Sequence, residues 1–349
     1  MLETEIPEKR PLVALTMGDV AGVGPEVIAR AWSESPMRDL ARPFVIGNAE
    51  VLERALRLFK GSAKVRPIDA PEQAEPNAEL IPCLDPASID VSGVLPGRID
   101  RRAGLAASEY LVRAADLALA GRIDAVTTLP INKESLNAAG VAHPGHTEIL
   151  AERCRSPEHA MMLYLSPPTG GPDGLGVLHA TLHVALRKVF DLLTTENVEA
   201  KIELADSAFR PLTRGRPPRI AVAGLNPHAG ENGLFGDEEI HVIAPAVDRA
   251  RRKGIDVIGP IAADTLFSRA LAGEFDVVVA MYHDQGHVAL KTIGFDRAVN
   301  ITLGLPIVRT SVAHGTAFDI AWQGRAETSS LIEAVRVAGR IVSGKRFIS

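Results

Sequence analysis

Three histidines, His183, His228 and His283, each follow a short apolar, β-branched run by a few residues. In an open α/β sheet the carboxyl ends of neighbouring strands gather at one edge, so imidazoles placed there can converge on one divalent cation. Neutral imidazole binds such ions well, and three protein donors leave coordination positions open for substrate oxygens. On spacing alone, a satisfied structural role for each histidine stays open beside the metal reading. His143, His159, His179 and His241 are read as structural or exposed.

The third histidine stands in a stretch dense in candidate chemistry, Asp276 to Arg309. It opens with β-branched residues, continues into an expected loop holding His283, Asp284 and His287, and then places Lys291, Asn300 and Arg309 downstream. Lysine brings a compact point charge and arginine a planar bidentate fork, which together suit a phosphate monoester better than a single carboxylate. Scattered surface charge is the competing reading. With the histidines, the chemistry indicated is a cation held against a hydroxyl or carbonyl, with a phosphate clamped some atoms away. A cation lowers the pKa of a coordinated hydroxyl, which eases hydride departure from the same carbon once a base takes the proton.

Earlier residues could complete such a site. His146 and Thr147, in HPGHTE, open an expected helix; capping would account for the threonine but not for the histidine beside it. Asn132 and Lys133 follow another strand, and a lysine opening a helix opposes the macrodipole, which favours a functional role. The loop MGDVAGVGPE, with Gly18, Gly22 and Gly24 before Pro25, is either a ligand contact or a tight strand-to-helix turn. Val27 stands where the third glycine of a dinucleotide fingerprint would be, so this is not a Rossmann signature. Glycines crowd His228 in GLNPHAGENGLFGDEE, which suggests close approach of backbone to a ligand.

These residues need a scaffold that brings strand ends together. Strands are expected at 12–16, 43–47, 124–128, 160–166, 175–179 and 219–223, near Val257 and from 276, with helices at 48–60, 102–120 and 330–342 among those between and after them. That alternation fits a mostly parallel sheet covered on both faces. At 349 residues the chain exceeds the size at which one core keeps growing, so two domains are expected. A hydrophobic share of 46% supplies material for those cores. The net charge of −5, without a basic block, argues against nucleic acid or an anionic membrane as main partner. Cys83 and Cys154 lack metal-type spacing and point to a reduced, cytoplasmic protein. No apolar stretch suits a signal sequence or a membrane span.

GHTE, NPHAGE, ADT, YHDQG with its downstream lysine, and NITLGLP-x-x-RTS-x-x-HGTA occur in this order. From about Leu12 to the C-terminal helix the sequence resembles the 4-hydroxythreonine-4-phosphate dehydrogenase family of vitamin B6 biosynthesis. The resemblance implies an α/β fold like that of isocitrate and isopropylmalate dehydrogenases, with two α/β/α domains around a central cleft and a homodimer with its site near the subunit interface. Residues 11–135 with 300–349 would form the first domain, and 136–299 the second, carrying most metal ligands and dimer contacts.

The implied reaction is oxidation of a C3 hydroxyl on a phosphorylated four-carbon acid, giving a β-keto acid that can decarboxylate. Cofactors would be NAD, with NADP as alternative, and a divalent cation from among zinc, magnesium, cobalt and manganese. Matching positions make His183, His228 and His283 the metal ligands, and His146, Thr147, Lys291, Asn300 and Arg309 the substrate set. Gly315, Thr316 and Asp319 would meet the dinucleotide; the base is Lys133 or Asp264. The sequence departs from the family pattern at Val20, at HVAL after YHDQG, and at Trp322, which stands where glycine is usual and could reshape the nucleotide pocket. Family members acting on 4-phospho-D-threonate or 4-phospho-D-erythronate, and others acting on cis-dihydrodiol dicarboxylates, are the alternatives, with a non-catalytic phosphometabolite-binding protein as a different class.

Overall fold

Runs such as LVALT at Leu12–Thr16, IAVA at Ile220–Ala223 and VVVA at Val277–Ala280 carry apolar side chains on both faces, so each strand must be covered on both sides. The computed structural model describes residues 10–34, 37–59, 62–143, 145–294 and 297–345, and in it these strands are buried throughout. Packing divides the chain into two compact units, Met1–His159 with Leu305–Ser343, and Ala160–Gly304 with Gly344–Ser349.

The first unit runs β1 (Leu12–Thr16), α1 (Gly24–Glu34), α2 (Met37–Leu40), β2 (Arg42–Ile46), α3 (Ala49–Leu56), β3 (Lys64–Pro67), β4 (Leu80–Leu84), α4 (Arg101–Leu119), β5 (Ala125–Thr128), α5 (Lys133–Ala138) and α6 (His146–Arg153). The second follows with β6 (Ala160–Leu165), β7 (Leu175–His179), α7 (Leu186–Leu192), α8 (Thr195–Phe209), β8 (Ile220–Ala223), α9 (Ala244–Arg252), β9 (Val257–Ile261), α10 (Ala263–Leu271), β10 (Val277–Ala280), α11 (His283–Gly294) and β11 (Ala298–Leu303). The chain then adds β12 (Arg309–Ser311) to the first unit before α12 (Ser329–Lys345).

In the first unit the strands lie in the order β3-β4-β2-β1-β5-β12, all parallel. Helix starts follow side-chain chemistry: Asn48 caps α3 through Val51 N at 3.0 Å, and Asp100 caps α4 through Arg102 N at 2.8 Å. The expected end of α3, Lys60, lies outside the described residues; the helix itself closes at Leu56. Leu111 and Ala115 of α4 pack with Leu136, Ile149, Leu150 and Ile307. Burying Ile149 and Leu150 there contributes roughly 1.5–3 kcal/mol each, which ties α6 to this unit. The boundary therefore falls after His159, not after residue 135 as expected, and again after Gly304.

The second unit orders its strands β11-β6-β7-β10-β8-β9. The expectation of a mostly parallel sheet holds except at β6, which runs antiparallel to both neighbours. A further correction concerns His283, Asp284 and His287. They belong to the first turns of α11, not to a loop, because the Gln285 side chain accepts from Met281 N at 2.6 Å and donates to Gly224 O at 2.7 Å, pinning the helix start directly onto the end of β10. Among the described residues no helix is long and apolar enough to cross a membrane.

Candidate active site

Because β1, β5 and β12 are parallel neighbours, their carboxyl-end loops lie side by side in the first unit. Gly18 (φ +73°) lets the β1 loop cross the β5 loop: a Cβ there would stand 2.2 Å from Pro130 O, and Asp19 N bonds that same carbonyl at 2.9 Å. Arg309 opens β12 and is only 4% exposed; its Nη2 donates to Thr128 Oγ1, at the end of β5, at 2.6 Å. His146, the first residue of α6, donates from Nε2 to Leu129 O at 2.9 Å, since a carbonyl can only accept. That leaves Nδ1 as an acceptor. Burial first, then the Arg309 charge, hold this imidazole at about 3 against the favourable Leu129 carbonyl, so it is neutral. Burial also draws Arg309 down to about 10, opposed by Glu148, and it stays a cation at neutral pH. A neutral acceptor beside a buried guanidinium suits a hydroxyl-bearing anion.

Thr147 follows His146 in α6 and does not cap it; Gly145 is the N-cap, without a side-chain bond. Asn132 caps α5 through Glu134 N and Ser135 N, both at 2.9 Å, which leaves Lys133 exposed in the first turn of that helix. Asp19, fully buried, accepts from Ala21 N at 2.8 Å, and the Ser135 hydroxyl faces the same carboxyl. Desolvation pushes this carboxyl up to about 6, with the Ala21 bond acting against it.

The loop after β12 carries Gly315, Thr316 and Asp319, and it is tied to the glycine loop after β1: Val23 N donates to Thr316 O at 3.0 Å. A Cβ on Gly315 would meet nothing within 4 Å, and Asp319 is exposed. His314 Nε2 is buried and unpartnered among the described residues. An open backbone turn, a free carboxylate and an orphaned ring nitrogen fit a dinucleotide's hydroxyls and amides. Trp322 lies close after this loop and is tied back to the glycine loop after β1. Its φ of +64° is one glycine adopts freely, its Nε1 donates to Val20 O at 3.1 Å, and the Arg54 guanidinium lies 4.1 Å from the centre of its ring.

In the second unit, β7, β10 and β8 are adjacent and parallel, and His183, His283 and His228 follow their respective carboxyl ends. The rings of His183 and His283 have centroids 5.6 Å apart. Two imidazoles bound tetrahedrally to one cation, with nitrogen at about 2.1 Å, would have centroids roughly 5–6 Å apart, so this pair fits a shared ion. Asp284 Oδ1 lies 2.6 Å from His283 Nδ1, which orients that ring and leaves Nε2 for a ligand. His179, expected to be structural or exposed, is buried in the same cluster: its Nε2 is 3.2 Å from His287 Nδ1, and the His287 ring stacks on His283 at 3.9 Å. Burial, then neighbouring imidazole charges, hold His179 near 3 and His287 near 4 despite the backbone carbonyl of His283 facing both.

His228 is the ligand candidate that is not brought in. Among the described residues no three His, Cys, Asp or Glu groups are placed to hold a metal ion together. His228 is 64% exposed in its side chain and lies 3.4 Å from Glu231. It begins five consecutive residues, His228 to Asn232, with φ between +45° and +80°; for the four that are not glycine this costs roughly 1–2 kcal/mol each. Glu239 holds the turn: its carboxylate accepts from Leu225 N and Asn226 N, both at 2.7 Å, and from Asn226 Nδ2 at 3.0 Å. That role was not legible in the sequence, where Glu239 is one of two adjacent glutamates after a glycine-rich run. Lys291 lies on α11 and its charge acts on His287; Asn300 lies on β11 with Oδ1 buried and unpartnered among the described residues. Asp264 is exposed in the first turn of α10.

The expected residues thus form two groups. The first unit assembles His146 and Arg309 with Thr128, and holds Thr147, Lys133 and the Gly315–Asp319 loop. The second assembles His183 and His283 with His179 and His287, and holds His228, Lys291, Asn300 and Asp264. Thr128, Asp19 and Glu239 are additions from the structure.

A family model described as pyridoxal phosphate biosynthetic protein PdxA matches residues 39–338. The sequence is 45% identical over 328 residues to a D-threonate 4-phosphate dehydrogenase of Pectobacterium atrosepticum, covering 94% of this chain and 98% of that protein. It is 42% identical over 337 residues to a 4-hydroxythreonine-4-phosphate dehydrogenase of Trichlorobacter lovleyi, covering 96% and 98% respectively. The structure resembles that of a 4-hydroxythreonine-4-phosphate dehydrogenase from Klebsiella pneumoniae, with a TM-score of 0.85, 46% identity, and coverage of 95% of this chain and 99% of that one.

Proposed function

The chain belongs to the PdxA family, and from that premise we propose that it is an NAD- and divalent-cation-dependent dehydrogenase, oxidising the 3-hydroxyl of a phosphorylated four-carbon acid such as 4-hydroxythreonine 4-phosphate. The observation that carries the reading is the pair His183 and His283 at neighbouring strand ends, spaced as two ligands of one ion would be. These two would hold the cation, and His228, which the fold does not bring to them, would remain a candidate for the third donor. A bound cation would lower the pKa of a coordinated hydroxyl and stabilise charge on its oxygen, and NAD would supply the hydride acceptor.

The chain's own residues do the rest. Arg309, in the first unit, would bind the phosphate by charge and fork geometry, and Lys291, in the second, is proposed as a further substrate-binding cation. His146, neutral and acceptor at Nδ1, would accept from a substrate hydroxyl, with Thr147 beside it; in the second unit Asn300, whose buried Oδ1 is unpartnered among the described residues, is suited to a donor on the substrate. Gly315, Thr316 and Asp319 would hold the dinucleotide. Lys133 or Asp264 takes the proton, and the resulting β-keto acid can lose carbon dioxide. Leu186 and Phe190 on α7, Leu234 and Phe235, and Val288 on α11 are large, apolar and exposed, which supports a homodimer with this unit at its interface.

The D-threonate 4-phosphate dehydrogenase of Pectobacterium atrosepticum keeps a second substrate in view, 4-phospho-D-threonate, with a hydroxyl in place of the amine at C2. A substrate panel tests both. Purified protein with NAD or NADP and a divalent cation should reduce the nicotinamide with 4-hydroxythreonine 4-phosphate, 4-phospho-D-threonate or 4-phospho-D-erythronate. Reduction only with an unphosphorylated cis-dihydrodiol dicarboxylate would move the chain to that substrate class. Phosphoester binding without turnover on any member would make it a phosphometabolite-binding protein.

A further inference from the structure

The mechanism above uses His183 and His283 and leaves two imidazoles of the same cluster without a task. His179 ends β7 and is 4% exposed; His287, one turn into α11, is 6% exposed. Their facing nitrogens are 3.2 Å apart, so one ring donates and the other accepts. The contact is built into the backbone: a Cβ on Gly286 would come within 2.5 Å of His179 Nε2, so any larger residue there would push α11 off His179. On its other side His287 lies flat against His283, with centroids 3.9 Å apart and planes 10° from parallel. His283 is therefore held on two sides, by Asp284 at Nδ1 and by the His287 ring on its face.

We propose that His287, anchored by His179, is a positioning residue that fixes the plane of the His283 imidazole and so directs its Nε2 toward the cation. This rests on the reading of His283 as a metal ligand. The stack removes rotation about the ring's own bonds, and the hydrogen bond to His179 keeps the stacked ring from turning with it. Partners in this outer position typically change metal affinity by roughly 10–100-fold when removed. His179 acts only through His287, so removing both should be no worse than removing His287.

Titration of the metal-stripped protein with cobalt(II), followed by its visible absorption, tests this without turnover. His287→Ala should weaken cobalt binding by about 10–100-fold. His287→Phe keeps a flat ring but loses the bond and should fall between Ala and wild type, with His179→Leu close to it. The double variant His179→Leu/His287→Ala should match His287→Ala. A merely structural pair would lower the thermal midpoint while leaving cobalt affinity, measured well below that midpoint, unchanged; that result would overturn the inference. If His287→Ala does not fold, the Phe and His179→Leu variants carry the same comparison. Wild-type protein that binds no cobalt would overturn the metal reading itself, and this inference with it, whereas normal wild-type binding with unaltered variants would sink only the positioning role.

Discussion

Arg309 opens β12 and His228 follows β8, yet the molecule holds them by opposite means. Arg309 is paired into β12, 4% exposed, and bonded to Thr128 at the end of the neighbouring strand; its place follows from sheet register. His228 is mostly exposed and sits in a left-handed turn that is locally uphill, kept there by the Glu239 and Glu238 carboxylates on Leu225 and Asn226 and by backbone bonds such as Ala229 N to Asn226 O. A residue set by register is already in place before any ligand arrives. A residue set by a strained turn depends on what clamps the turn, and can adjust with it.

The largest expected effect comes from the register-held side. Arg309→Ala should raise the KM for the phosphorylated substrate roughly a hundredfold, about 3 kcal/mol, with little change in cobalt affinity. Loss of cobalt binding in that variant would show that the two groups are not energetically separate. Next is the clamp: Glu239→Ala leaves the Leu225 and Asn226 amides without their acceptor, a loss of about 2–3 kcal/mol read as a lower thermal midpoint, and cobalt binding should weaken alongside. If stability falls and cobalt affinity does not, His228 is not positioned by this clamp.

Asp19 sharpens the comparison through pH. Its folded-state value of about 6 lies above the ordinary 3.8, so the native state holds the proton longer than the unfolded chain. Stability contributed by this group is therefore present below about pH 4 and is lost as pH rises through about 6. Asp19→Asn should remove that slope, matching wild type near pH 4 and exceeding it by about 3 kcal/mol above pH 6. A difference independent of pH would contradict it. The smallest effect is relief of strain: Ala229→Gly, at φ +54°, should stabilise the fold by about 1 kcal/mol, seen as a rise in unfolding midpoint. No rise would mean that the turn is not strained in the way its angles suggest.

Much of this was legible from residues in order. β-branched runs marked the buried strands, Asn48 marked a helix start, and the three histidines stood where strand ends could bring them. Legibility stopped where a feature depends on residues distant in sequence. His179 looked structural because its partner, His287, is 108 residues away and reaches it only through the pairing of β7 with β10. The domain boundary shifted because α6 buries Ile149 and Leu150 against α4, a contact no local pattern specifies. The α11 start looked like a loop because the Gln285 bond that closes it reaches across to Gly224.

The amino-acid sequence by itself determined the kinds of chemistry available, the periodicity of its strands and helices and the family the chain belongs to, since these depend on residue identity and near-neighbour spacing. The tertiary structure alone decided which imidazoles are buried together, that His146 is neutral beside Arg309, and that His228 rides on a left-handed turn. Desolvation, ring stacking and backbone strain arise only when distant segments are packed against each other.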